Sequence, residues 1–257
     1  MSKQECPRWR VAMAYIDGFV IAVPSANKEA YRQAAIAAAP LYKEFGATRF
    51  VENWGDDVPE GKVTDLRRAV KAEPDEVIVF SWIEYPSKAV RDEANAKAMR
   101  DPRMQAMGAN ISFDGKRMIF GGFVPSLHEG GAGRPGYVDG SLVPVPVGNK
   151  EAYHVIASRL AAVLLEHGAT RVVDAWGDDV PDGKVTDFKG AVKATADEQV
   201  VFAWIEWPSK EARNAGWGKA MADPRMHPGS MPFDEGRRSH GGFVPMLVET
   251  AATDTGA

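Results

Sequence analysis

With 257 residues, 45% of them apolar and 26% charged, the chain has the composition of an ordinary folded protein, and a formal charge of -4 gives no pull toward nucleic acid or anionic membranes. Its single cysteine, Cys6, excludes an intrachain disulfide, and no stretch approaches the length of a membrane span. The opening Met1 to Arg10 carries charge but no apolar signal core, so a cytoplasmic protein is expected, with neither nucleic acid nor membrane as partner.

Tyr15 to Pro24 is a β-rich run closed by proline, and Tyr137 to Pro146 repeats it with weaker strand character. Asn27 and Asn149 stand where a helix N-cap belongs, and Tyr31, Ala34, Ala35, Ala38, Leu41, Tyr42 and Phe45 then fall on one helical stripe. Gly46 and Gly168 close these helices; Pro40 is expected to bend the first, whereas Ala162 leaves the second straight. Ala47 to Trp54 and Ala169 to Trp176 form the second strand. In the loop that follows, Thr64 and Thr186 are expected to cap a short helix, with Asp65 and Asp187 in its first turn. Val77 to Tyr85 and Val200 to Trp207 are the third strand, whose alternation sets Phe80, Trp82 and Glu84 on one face, matched by Phe202, Trp204 and Glu206. Ser87 and Ser209 start a second long helix that ends near Asp101-Pro and Asp223-Pro. Met118 to Pro125 and Ser239 to Pro245 are the fourth strand, each carrying Gly-Gly-Phe-Val-Pro, where paired glycines predict a bulge or a close backbone approach.

The second half is a copy of the first. Trp54 to Ala72 returns as Trp176 to Ala194 with 15 of 19 positions identical and an offset of 122, too long a period for a solenoid unit. Two domains are therefore expected, 14–125 and 137–246, joined by a flexible Gly/Pro-rich linker at 126–136, with a mobile polar tail from Glu249 to Ala257. Each copy reads β-α-β-β-α-β, the ferredoxin-like pattern, which makes the fold class α+β. Helices on one face leave the other face of each sheet in need of a partner. The simplest partner is the other copy, packed sheet to sheet as a pseudo-dimer within one chain.

The motifs Tyr-(Ile/Val)-Asp-Gly, Asn-Lys-Glu-Ala-Tyr, Trp-Gly-Asp-Asp-Val-Pro-x-Gly-Lys-Val-Thr-Asp, Trp-Ile-Glu-(Tyr/Trp)-Pro-Ser-Lys, Asp-Pro-Arg-Met and Gly-Gly-Phe-Val-Pro cover nearly all of both copies. Together they resemble the YbaA-like family of small bacterial proteins of unknown function. The resemblance implies the dimeric α/β-barrel superfamily, in which two ferredoxin-like units join their sheets into one barrel, here fused into one chain. That superfamily includes cofactor-independent monooxygenases, isomerases, cyclases and haem-handling enzymes, a breadth from which fold alone selects no reaction.

Several groups are candidates for chemistry. Glu84 and Glu206 lie on apolar strands beside two aromatics each, where a carboxylate suits proton transfer in an otherwise apolar pocket; the competing reading is a strand-end glutamate reaching solvent or paired with Lys88 or Arg91. In the repeated loops, Asp57 and Lys62, with Asp179 and Lys184, are candidates to position polar substrate atoms beside Trp54, Trp82, Trp176 and Trp204. The same loop also reads as turn chemistry, helix start and core filler. His154, His167 and His240 replace Arg32, Phe45 and Phe120 of the first copy, so imidazoles enter one half only, and His240 joins the candidate binding set. Spacing for a metal site is lacking, as are nucleotide-binding loops and a nucleophile elbow, so no metal and no cofactor are expected. Two functions fit. One is a cofactor-independent enzyme of monooxygenase or isomerase type acting on a small organic molecule. The other is a non-catalytic ligand-binding or assembly module in which the repeated loop stabilises the seam between copies.

Overall fold

Eight antiparallel strands close into one barrel in the computed structural model, which describes residues 14–109, 111–227 and 229–250. The expectations for Cys6 and the leader, and for the tail from residue 251 on, lie outside the described residues. The first half runs β1 (Tyr15–Pro24), α1 (Lys28–Glu44), β2 (Arg49–Asp57), α2 (Leu66–Ala69), β3 (Glu76–Tyr85), α3 (Lys88–Arg100), α4 (Pro102–Gly108) and β4 (Ile119–Gly130). The second runs β5 (Tyr137–Pro146), α5 (Lys150–Glu166), β6 (Arg171–Asp179), α6 (Phe188–Ala191), β7 (Glu198–Trp207), α7 (Lys210–Ala220) and β8 (Ser239–Thr250).

The strand order around the ring is β1-β3-β2-β8-β5-β7-β6-β4, so each half contributes a four-stranded ferredoxin-like sheet and the halves join at β2·β8 and β4·β6. Those joins come from strands longer than expected. The fourth strand extends past Pro125 to Gly130 in the first half, and past Pro245 to Thr250 in the second. Ile119 to Phe123 pairs with β1, and the continuation to Gly130 pairs with β6 of the other half. Ser126 to Gly130 are thus strand and not free linker, and Glu249 and Thr250, expected in the mobile tail, are strand paired with Phe50 and Arg49. Closing the ring removes the sheet edges that two separate halves would expose.

Alternation along β3 and β7 sends Phe80, Trp82, Phe202 and Trp204 into the barrel, where they form one core with Phe123, Phe243, Leu66 and Phe188. Phe80 stacks on Phe202 and Trp82 on Trp204, each pair with ring centroids 4.4 Å apart, which places the symmetry-related residues of the two halves face to face at the barrel centre. The short helices α2 and α6 belong to this core and close the end near Glu76 and Glu198. The long helices pack on the outer face, α1 and α3 over Phe50, Ile83 and Tyr85, α5 and α7 over Val172, Tyr137 and Trp207.

Several local expectations hold and others are redirected. Gly46 and Gly168 end their helices at φ +114° and +104°, and Ser87 and Ser209 cap α3 and α7 by accepting from Val90 N and Ala212 N. Helix α1 runs unbroken through Pro40. Asn27 and Asn149 occupy the N-cap positions without capping. Their Nδ2 atoms donate instead to the carbonyls of Ser112 and Pro232, 2.8 Å away in each case, tying down the loop before the fourth strand. Asp65 and Asp187, not the threonines, cap α2 and α6, because Thr64 and Thr186 turn across the seam to donate to Ala191 O and Ala69 O. The paired glycines serve as both a bulge and a close approach: the ladder shifts register at Gly122/Phe123, and a Cβ on Gly122 or Gly242 would strike the hydroxyl of Tyr15 or Tyr137.

Candidate functional site

Opposite the end closed by α2 and α6, four charges fill the barrel. Arg171 holds Glu84 through two hydrogen bonds of 2.7 and 2.9 Å, and Arg49 holds Glu206 at 3.0 and 2.9 Å. Arg171 also reaches Glu206 at 3.2 Å, and Arg49 lies 3.6 Å from Glu84. Both main pairs cross between halves. Trp82 and Trp204 donate their indole N–H groups to Glu84 and Glu206, and Nε of Arg171 donates to the neutral ring of His128. Burial alone would raise the Glu84 carboxyl, but the hydrogen bonds and charges of Arg171 and Arg49 outweigh it and hold its pKa below the ordinary value. A carboxylate so paired stays ionised and has few free lone pairs, which fits a lock better than a proton-transfer group. The partners are the strand-start arginines of β2 and β6, not Lys88 or Arg91: the register sets Arg49 beside Glu84 and Arg171 beside Glu206 within each half, and each arginine reaches across to the other half's glutamate for its closest bonds.

The repeated Trp-Gly-Asp-Asp loops also work at the seam. Asp178 accepts from Tyr15 and pairs with Lys88 at 2.9 Å, and Asp179 pairs with Arg91 at 2.8 Å. In the mirror arrangement, Asp56 accepts from Tyr137 and pairs with Lys210 at 2.6 Å, while Asp57 faces Arg213 at 3.9 Å. Every one of these contacts joins one half to the other. Trp54 is buried with Lys28 over its ring, and Trp176 lies beneath Lys150 in the same way, both away from the barrel interior. Lys62 and Lys184 are exposed and join neither the seam contacts nor a pocket with the other candidates.

A separate site lies on the outer face of the second half. There a cavity of about 290 Å³ opens between β5, β6 and β7 and the helices α5 and α7. Its walls are mainly apolar, among them Val143, Ile156, Leu160, Val172, Trp217 and Phe233, and its polar groups include Asp139, Ser141, Tyr153, Asp174, Arg213, Arg238 and His240. Such a mix of apolar walls and a few convergent polar groups is the usual make-up of a small-molecule site.

The two acids differ in availability. Asp139 is saturated: it accepts from the indoles of Trp207 and Trp217 at 2.9 and 2.7 Å and from Arg213 at 2.9 Å. Asp174 is buried yet accepts from a single side chain among the described residues, the hydroxyl of Tyr153 at 2.9 Å. Burial raises its pKa to about 6, against the lowering by Tyr153 and by the charges of Arg238 and His154. The carboxyl is therefore ionised at neutral pH but close to its titration point, as a general base requires. His240 is exposed at the cavity; desolvation of its ring and the charge of Arg238 lower its pKa, which keeps the imidazole neutral at pH 7.

Four exchanges between the copies account for the difference between halves. Phe19 of β1 joins two apolar clusters under α1, whereas its counterpart is Ser141 on the cavity wall. Phe120, opposite Phe19 in the ladder, becomes His240 opposite Ser141. Ser81, which with Tyr31 donates to the buried Glu52, becomes Ala203, so the corresponding Asp174 loses one hydroxyl partner. Met118, packed on an apolar cluster, becomes Arg238. Of the sequence candidates, His240 and Trp204 line the cavity, Trp204 being also part of the barrel core; Asp174, Tyr153, Asp139 and Arg238 were not singled out. For Asp174 and Arg238 a signal was present in the residue-by-residue difference between copies, Glu52 and Met118 being their counterparts, whereas Tyr153 and Asp139 are identical to Tyr31 and Asp17 and carried none. Among the described residues, no group of three or more His, Cys, Asp or Glu side chains is arranged to hold a metal ion. No helix among them is long and apolar enough to cross a membrane.

The fold and its seam define the class: a dimeric α/β barrel whose two units are carried on one chain. The chain belongs to the family of proteins of unknown function DUF1428, which it matches twice, over residues 14–115 and 136–235. It is 64% identical over 117 residues to the uncharacterised protein YbaA of Escherichia coli K12, a match covering all of that protein and 46% of this chain. The same figures hold for YbaA of Shigella flexneri. Among solved structures, a candidate monooxygenase from Fusobacterium nucleatum superposes with a TM-score of 0.60 at 8% identity, covering 93% of this chain and 95% of that one. Another candidate monooxygenase, from Lactobacillus acidophilus, gives 0.55 at 8% identity over 93% and 96% of the two chains. An anthrone oxidase-like protein gives 0.52 at 13% identity over 95% and 96%. At such identities the likeness establishes the fold and nothing finer.

Proposed function

We propose that the second half of the chain is a cofactor-independent enzyme site for a small, largely apolar organic molecule, with Asp174 as the proton-transfer group. The observation that carries this reading is the cavity itself, which holds a buried carboxylate with a pKa raised to about 6 and only one side-chain hydrogen bond among the described residues. A cavity of about 150 Å³ holds benzene, so about 290 Å³ suits a body of two rings. Asp174 would remove a proton from a C–H made acidic by a neighbouring carbonyl, and the electron pair left behind would pass to the carbonyl oxygen. Tyr153, bonded to the same carboxylate, would hold its orientation. That one step is common to isomerases, which return the proton elsewhere, and to cofactor-free oxygenases, which pass the carbanion's electrons to O2. The monooxygenase and anthrone oxidase descriptions of the structural neighbours agree with chemistry of this kind, but at 8–13% identity they add only analogy.

The test is hydrogen–deuterium exchange at carbon. Incubating the chain with β-tetralone, a two-ring ketone, in D2O should accelerate deuterium entry next to the carbonyl, and Asp174→Asn should remove the acceleration while leaving the fold intact. If the ketone binds and no exchange occurs above the buffer rate, the pocket is a binding module, the second reading. The seam role of the repeated loops supports that reading for the loops themselves: they assemble the barrel and stand apart from the cavity.

A further inference from the structure

Two adjacent arginines stand just before the eighth strand, and they differ in use. Arg237 is fully engaged, with bonds of 2.7 and 2.6 Å to Glu198 and 2.9 Å to Asp234. The first half repeats that arrangement with Arg117, Glu76 and Asp114, so this arginine is a structural fixture of both copies. Arg238 has no such counterpart. The equivalent residue is Met118, which packs on the apolar cluster beside Phe19 and Tyr31.

Arg238 lines the cavity, makes no side-chain hydrogen bond and no ion pair with a carboxylate among the described residues, and keeps a buried Nε without a partner. A buried donor left unpaired loses its hydration without return, and placing a full charge at the wall of an apolar cavity adds to that loss. No protein group pairs with it directly among the described residues: Asp174 feels the charge of Arg238 but lies outside ion-pair distance, and Asp139 is already saturated by Arg213 and two indoles. A guanidinium with its fork free and its surroundings apolar is suited to hold a planar oxyanion with two parallel hydrogen bonds.

Building on the small-molecule reading of this cavity, we propose that its substrate is an apolar body of about two rings that carries one anionic oxygen group, held by Arg238. The oxyanion would dock on Arg238 while the apolar body lies along Ile156, Leu160 and Trp217, within the same cavity as Asp174. Binding charge at one point and apolar surface elsewhere also fixes orientation, which an apolar cavity alone does poorly.

The experiment compares 2-naphthoate with its neutral near-isostere 2-naphthamide by titration calorimetry on the full chain, on Arg238→Met and on Arg238→Lys. Arg238→Met installs the side chain that the first half already carries at this point, so the variant is expected to fold. In the native chain naphthoate should bind roughly tenfold to a hundredfold more tightly than the amide, the range for a charge-assisted pair. Arg238→Met should abolish that preference and leave amide affinity unchanged, with Arg238→Lys retaining part of it because the charge stays and the planar fork goes. Equal affinity for the two compounds in the native chain, or a preference that survives in Arg238→Met, overturns the assignment of the anion to Arg238 while leaving the cavity a binding site. Failure of both compounds to bind the native chain overturns the small-molecule reading and this proposal together.

Discussion

Replacing Ser141 with phenylalanine restores at the cavity wall the residue that Phe19 supplies in the first half, and the outcome tests whether the space is real. Fully burying a phenylalanine side chain stabilises by roughly 1.5–3 kcal/mol. Phe19 itself is only partly buried, and Ser141 has already buried a small side chain, so about half of that gain is reasonable, near 1 kcal/mol. For a chain of this size about 1 kcal/mol moves Tm by roughly 2–4 °C. Differential scanning calorimetry should therefore show a Tm higher by a few degrees, and calorimetric titration should show that 2-naphthoate and β-tetralone no longer bind. For both results the ring must enter empty volume between β5 and α5. A Tm lowered by a comparable amount would mean that Ile156 and Leu160, which replace Ala34 and Ala38, already occupy that volume and the new ring overpacks it. Ligand affinity unchanged in Ser141→Phe would place the binding site elsewhere.

Three further outcomes follow from the same geometry. Glu84→Gln combined with Glu206→Gln leaves Arg49 and Arg171 without their counter-charges; breaking a buried pair costs about 3–5 kcal/mol, so thermal unfolding should fall by roughly 10 °C or more, and an unchanged Tm would remove the lock role. The lowered pKa of Glu84 also makes its contribution present above the unfolded value near 4.5 and lost as pH falls through the lower folded value, which a pH series of denaturant melts should show. Because Asp174 must be ionised to accept a proton, exchange of β-tetralone should rise with pH through about 6; its raised pKa favours the neutral carboxyl in the fold, so its stability contribution is greatest below about 3.8 and declines up to about 6, a decline that Asp174→Asn should flatten. Glu52→Gln in the first half should leave exchange unchanged, although burial raises that carboxyl to about 7, because Tyr31 and Ser81 both donate to it beneath the cluster that Phe19 completes; loss of exchange in Glu52→Gln would move the active half.

The duplication, the βαββαβ order of each half and the inward face of the third strand were all legible from spacing, because each depends on periodicity that the chain carries locally. The joins between halves were not. Whether Ser126 to Gly130 form linker or strand is decided by β6, a partner more than 40 residues away that supplies hydrogen bonds the segment cannot make alone. The same holds for Thr64 and Thr186, which read as caps because a threonine before a helix usually is one; the neighbouring aspartates take that role once the threonines have carbonyl acceptors across the seam. Glu84 and Glu206 stood out as acids on apolar strands, and that signal was real, but the arginines opposite them belong to another strand. Lys62 and Lys184 were drawn in by identity between the copies, which reflects loop geometry and leaves those side chains in solvent.

Fusing two units into one chain changes what each surface is free to do. In the barrel interior and at the seam, residues of one half meet the corresponding residues of the other: Phe80 on Phe202, Trp82 on Trp204, Arg49 with Glu206 against Arg171 with Glu84. A change on one side there leaves its counterpart facing a misfit, so both copies are held to the same residues and the motifs stay nearly identical. On the outer faces each sheet meets only its own helices, α1 and α3 or α5 and α7, and no residue there has its counterpart as a neighbour. Substitution of Phe19 by Ser141, Ser81 by Ala203, Met118 by Arg238 and Phe120 by His240 therefore costs the first half nothing. A separate chain of one unit that assembled with itself would carry every such change twice, paying any loss of packing on both faces; the fused chain keeps Phe19 and Met118 packed in the first half and opens the cavity at their counterparts in the second.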